Sequence, residues 1–120
     1  MKAADPPLDG EEMLAALTDS MVALHERYHH RPPGSAKSQI LGDDLIAVVM
    51  GEVYTDVEKT LIELQRSPMV RESRSAFQIA MGQKFIDEVE RLSGREVVTF
   101  ISDSYVGPDM EIELFVLRET

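Results

Sequence analysis

His25-Glu26-Arg27-Tyr28-His29 is the one stretch whose residue types and spacing match a known chemical pattern. In His-Glu-x-x-His, two imidazoles one helical turn apart bind zinc and the glutamate serves as base. A catalytic zinc also needs a third protein ligand and a deep cleft. Here the helix breaks at Arg31-Pro32-Pro33, just past the second histidine. A metal-dependent hydrolase through His25, Glu26 and His29 is therefore the third-ranked reading. The residues are expected to form a solvated helix end without a bound metal. Gly34-Ser35-Ala36-Lys37-Ser38 has the tail of a phosphate loop but not its upstream glycine or following helix. Asp43 and Asp44 are adjacent in a turn, which suits turn formation better than acid/base work. Glu111 and Glu113 share one face of a strand, where like charges mark a wet surface or an arginine partner. No catalytic residue and no cofactor are expected, and the chain is read as a non-enzyme.

Arg71 and Arg74 carry more weight. On a helical projection they fall, with Gln78, on the meridian of Met81 and Phe85. A guanidinium on a core-facing meridian needs a partner, because burying it alone is prohibitive. Three partners fit: an internal carboxylate, a carboxylate from a second subunit, or a small bound anion. Asp103 and Asp109 flank the turn that follows the helix, so a contact between Arg74 and one of them is expected. The anion alternative makes the chain a small-anion sensor using Arg71 and Arg74.

These residues need elements to hold them. Ser67 to Gly94 is the longest segment with one consistent period. Ser67 suits an N-cap, Pro68 the first helical position, and Gly94 a left-handed stop. Val70, Phe77, Met81, Phe85, Val89 and Leu92 make an apolar stripe, which Ile79 and Ile86 widen to roughly 200°. Upstream, Asp9 and Glu12 read as a capping box. It precedes a narrow seam of Leu14, Leu17, Met21, Leu24 and Tyr28, suited to the chain's own sheet or to a second chain. A hairpin follows, with strands near Lys37–Leu41 and Leu45–Val53. Both alternating sets of the second strand are apolar, which predicts a central strand covered on both faces. Thr55 and Glu58 cap a short helix whose Val57, Leu61 and Leu64 face inward. Strands Glu96–Ser104 and Glu111–Leu117 close the chain, the last alternating Ile112, Leu114 and Val116 against a wet Glu111 and Glu113. The order αββααββ predicts an α+β, two-layer domain with a four-stranded, mostly antiparallel sheet packed with helices.

At 120 residues the chain is one domain's worth, read as residues 9–120 after a disordered tail over 1–8. Its net charge of −10 repels phosphate backbones and anionic lipid, which argues against nucleic acid and direct lipid binding. Without cysteine there is no disulfide, thiolate metal site or thiol catalysis. The start lacks an apolar signal region, and no apolar run is long enough to span a bilayer. A soluble, cytoplasmic protein is expected.

From about His30 onward one set of residues stands out: the Arg31-Pro32-Pro33-Gly34 loop; Gly51 with Thr55-Asp56-Val57-Glu58-Lys59; and Arg71, Arg74 and Phe77. Phe85, Val89-Glu90 and Ser93-Gly94-Arg95 continue it, followed by Phe100, Ser102-Asp103, Pro108-Asp109-Met110, Glu113 and Phe115-Val116-Leu117. In these residues the chain resembles the MpsC family, named for the small soluble component of a sodium-translocating, membrane-potential-generating system. Tyr105 stands where family members usually carry histidine, and Ser93 where they carry threonine. His25 to His29 lies outside these residues. The resemblance implies a non-enzymatic cytoplasmic accessory or regulatory protein beside membrane proteins of cation translocation and inorganic-carbon uptake, peripheral to the membrane through a protein partner. It supplies no catalytic residue. Arg71, Arg74, Asp103, Tyr105, Pro108 and Asp109 stand as ligand- or partner-binding candidates. The long helix and the doubly apolar strand exceed what one small domain covers, which predicts a homodimer.

Overall fold

A computed structural model describes residues 10–119; the tail over 1–8 and the Asp9 cap lie outside them. Three helices and four strands follow in the order α1 (Gly10–His29), β1 (Ser35–Leu41), β2 (Leu45–Gly51), α2 (Asp56–Glu63), α3 (Ser67–Ser93), β3 (Val97–Tyr105) and β4 (Met110–Leu117). The strands form one antiparallel sheet in the order β1-β2-β4-β3, so each hairpin puts one strand at an edge and one in the middle. The expected α+β class, element order and antiparallel sheet are all present.

Register divides the sheet residues cleanly, because directly opposed residues share a face. Ile40, Ile46, Phe115 and Phe100 form one row across the four strands on the inner face. Met13, Leu17 and Met21 of α1 and Val70, Met81, Phe85 and Val89 of α3 bury against this face. Phe115 is fully buried and stacks on Phe100 at 5.0 Å, and Phe85 meets Phe100 edge-on at 6.2 Å. Gly82 lets α3 come this close, since a Cβ there would lie 3.2 Å from the Phe100 ring. The α1 seam is rotated from the expected one. Met13, Leu17, Met21 and His25 are its buried line, with Leu14, Leu24 and Tyr28 only flanking it.

Both long helices lie on the inner face, so β2 is central but covered on one side only. On the outer face the rows are Lys37–Val49–Ile112–Asp103, Gln39–Ala47–Leu114–Ile101 and Leu41–Leu45–Val116–Thr99. No described helix packs on them. The same parity corrects the reading of β4: Glu111 and Glu113 point into the core, 3% and 0% exposed, while Ile112, Leu114 and Val116 face outward. Phe115 and Leu117 set the phase. Burying that pair carries the two glutamates inside with them.

Smaller corrections concern the helices. Arg66, not Ser67, stands at the N-cap of α3 and makes no side-chain cap bond, whereas Gly94 closes the helix at φ 70° as expected. Arg71 and Ile79 are exposed. On α2 the capping box of Thr55 and Glu58 is complete, but of the three expected side chains Val57 and Leu64 are exposed and Leu61 alone touches the core, joined there by Ile62.

Candidate functional site

The charged core is built from four elements around Arg74, which is 1% exposed. The third turn of α3 aims its guanidinium at the junction of β2 and α2. There Glu58, the third residue of α2, receives Arg74 Nε at 2.7 Å and Nη2 at 2.6 Å on its two oxygens. Glu58 also accepts the Thr55 N–H at 2.8 Å, so one carboxylate closes the capping box and clamps the arginine. Nη2 donates again to the Val53 carbonyl at 2.6 Å, and Nη1 to Glu111 of β4 at 3.0 Å. The remaining Nη1 contact is a long one, 3.4 Å to His29 Nε2. The Tyr54 ring lies 5.0 Å from the guanidinium carbon, a cation–π distance. A guanidinium has five N–H donors, and each has a partner here.

The expected contact with Asp103 or Asp109 is therefore not the one made. Asp103 is exposed and accepts the N–H of the adjacent Ser104. Asp109 works one layer out: its Oδ1 accepts the Val53 and Tyr54 N–H groups at 2.8 and 3.3 Å, fixing the loop whose carbonyl meets Arg74. Tyr105, 47% exposed, and Pro108, also exposed, sit at the β3–β4 turn and make no contact with this cluster. Arg71 points away from it. Of the six candidates, the structure brings Arg74 and, indirectly, Asp109 to one place.

Electrostatics follow burial. Desolvation alone would raise the Glu58 carboxyl, yet the Arg74 hydrogen bonds and the Thr55 amide hold it below its ordinary value. Glu111 is more deeply enclosed, and there burial wins over Arg74 and raises its pKa. His29 is pushed down to about 4, first by burial and then by the Arg74 charge, so it is neutral at pH 7. An arginine nitrogen can only donate, so His29 Nε2 accepts and its proton sits on Nδ1. His25 lies in the core with its Nδ1–H donated to the Arg31 carbonyl at 2.9 Å, and burial lowers its pKa too. Its Nε2 is buried without a partner among the described residues. The rings of His25 and His29 are 4.6 Å apart. His25 is a core histidine and His29 is half-buried beside it, so they do not form the solvated helix end expected from the prolines. Glu26 is exposed, and the His29 nitrogen that would ligate a metal faces a guanidinium instead.

A second polar group lies deeper along the sheet. Glu113 is fully buried, with neither carboxyl oxygen in hydrogen-bond geometry with a described residue. It is opposed across the strands by Val48 on one side and Ser102 on the other. Burial pushes its pKa up to about 8, and the nearby Glu111 charge adds to the rise. The Ser102 hydroxyl and Gln78 Nε2 are also buried without partners.

What this arrangement can do chemically is limited. The Arg74 cluster pairs one cation with two carboxyl groups and leaves no donor for an incoming anion, so it serves as an internal clamp. Sequence reasoning missed Glu58 as its partner and did not join Arg74 to Glu111, although an arginine partner was one of the two readings of that glutamate. The capping box did announce Glu58, since a carboxylate at that position has a second oxygen to offer.

Among the described residues no helix is long and apolar enough to cross a membrane. No curated protein and no solved structure matches the chain. The family comparison does match, over residues 10–119, and therefore takes in α1 with His25 and His29 as well as the hairpins. With its fold and its matched span in agreement, the chain belongs to the family described as MpsC, Na+-translocating membrane potential-generating system.

Proposed function

We propose that this chain is a non-enzymatic accessory subunit that docks on a membrane-embedded component of a Na+-translocating system through the outer face of its sheet. The observation that carries the reading is that face itself. Leu41, Leu45, Ala47, Val49, Ile101, Ile112, Leu114 and Val116 lie side by side across four strands, with no described element over them. A monomeric soluble protein rarely leaves so continuous an apolar surface open unless something binds there. Lys37 and Asp103 are the only charged residues in the rows, and they cancel, while the whole chain carries −10. The face is thus a broad surface from which the protein's own charge does not repel an acidic partner. The family supplies the setting, a membrane-potential-generating system. The closed Arg74 cluster supports a structural rather than a sensing role for the charged core.

The test is affinity capture of the full chain from detergent-solubilised membranes. The cation-translocating membrane component is expected to co-purify with the wild type and to be lost with Leu114→Lys. That substitution charges the outer face and leaves the core face untouched. Absence of the membrane component from the wild-type eluate overturns the proposal, as does its undiminished retention by a folded Leu114→Lys variant.

A further inference from the structure

The side wall of the molecule at β3 adjoins the docking face but presents different groups, the outward N–H and C=O of the edge strand. β3 is an edge strand of nine residues, VVTFISDSY, with one charge, no lysine and no proline. Natural edge strands are normally shortened, charged or covered, because their outward N–H and C=O groups template pairing with another chain. The opposite edge follows that rule: β1 has seven residues and carries Lys37. β3 does not, and no described residue pairs with its outer side.

Above this edge runs α3, and between them lies a groove of about 410 Å³. Its helical wall is Ser75, Ile79, Gly82, Gln83 and Ile86, and its floor includes Phe100. None of these residues is charged. Ile79 is 81% exposed, and Val98 on β3 adds a further apolar side chain at 44%. In a chain of net charge −10, two copies repel each other least where the surface is uncharged, and this groove supplies such a surface.

We infer that this wall is the interface of a homodimer in which β3 pairs antiparallel with β3 of a second copy. A twofold axis near Ile101, the middle of the strand, joins the two sheets into one of eight strands and sets the two α3 helices side by side. The occupant is a second copy rather than a foreign strand because the surface is self-complementary under that axis. An antiparallel edge pairs with itself, and each groove receives the protruding Ile79 of the other subunit. The area suffices. A nine-residue strand is on the order of 30 Å long, and a sheet layer plus a helix layer is about 20 Å deep. That gives roughly 600 Å² from each copy, above the size at which a specific interface is distinguished from incidental contact.

The experiment uses the full chain and its lack of cysteine. Light scattering at tens of micromolar is expected to give twice the chain mass for the wild type and the monomer mass for Ile79→Glu, a change at an exposed site. Single cysteines at Thr99, Ile101, Asp103 and Leu114 are then oxidised. Residues directly opposed in an antiparallel pair are about 5 Å apart at Cα, within disulfide reach. Ile101→Cys should cross-link several-fold more efficiently than the others. A monomeric wild type overturns the inference. So does a dimer that survives Ile79→Glu, or one that cross-links best through Leu114→Cys on the open sheet face. Membrane-component capture reads the docking face independently, so either idea can fail alone.

Discussion

Arg74 shows how far a single residue can be read, and where the reading stops. Its burial and its need for carboxylates follow from one helical projection and the cost of an unpaired charge. Its partners do not, because α3 is long and the sequence does not say which loop folds against its third turn. Arg74→Ala is expected to cost about 3–5 kcal/mol, since it strands Glu58 and Glu111 in the core. Lysine should restore only part of this, as a point charge cannot span both oxygens of Glu58 while reaching Glu111. Urea melts of the two variants decide it, and equal midpoints would refute the clamp. A buried and a half-buried group also set opposite pH trends. Glu113, raised to about 8, binds its proton more tightly folded than unfolded. Its contribution is complete below its ordinary value near 4.5 and is lost as pH climbs through about 8. His29, lowered to about 4, contributes fully above 6.5 and loses that contribution as pH falls through about 4. Glu113→Gln should therefore melt several degrees above the wild type at pH 8, with the gap closing towards pH 5. His29→Gln should flatten the acid limb. Parallel melting curves across pH for wild type and variants would contradict both assignments.

At the scale of elements, α2 is the instructive case. It has no fully buried residue, and two of the three apolar side chains expected to anchor it are exposed. Leu61 and Ile62 pack against the core only in part, and the Glu58 carboxylate ties the first turn of α2 to α3. Thr55→Ala removes one cap bond and should cost about 1 kcal/mol. Glu58→Ala should cost more than Thr55→Ala, because it also leaves Arg74 short of its main partner. The reverse order would show that α2 is held by its cap alone. His30 ends α1 at φ 63°, in the left-handed region that glycine adopts freely. His30→Gly should stabilise by up to about 1 kcal/mol, readable as a raised melting temperature. The existence of these helices, the Gly94 stop and both hairpins were legible from period and turn chemistry. The phase of β4 was not. One parity of Met110–Leu117 holds four apolar residues and the other only Phe115 and Leu117 beside two glutamates, so local pattern pointed to the wrong face. Only the packing of Phe115 against Phe100 and β2 decides which side is in.

The whole molecule is two layers, with helices on one side and nothing described on the other, and that asymmetry was half visible beforehand. The doubly apolar β2 announced that both sheet faces are apolar; that both long helices choose the same face is a matter of topology the residues do not encode locally. The outer face carries Lys37 at +1 and Asp103 at −1, a sum of zero, so the entire −10 lies elsewhere on the chain. Such a distribution gives the protein an electric moment across its thickness. Under the docking proposed above, the field of an anionic bilayer would turn the charged side outward and present the bare sheet to the embedded partner. Orientation then precedes contact, and the rate of productive encounter should fall as added salt shortens the reach of that torque.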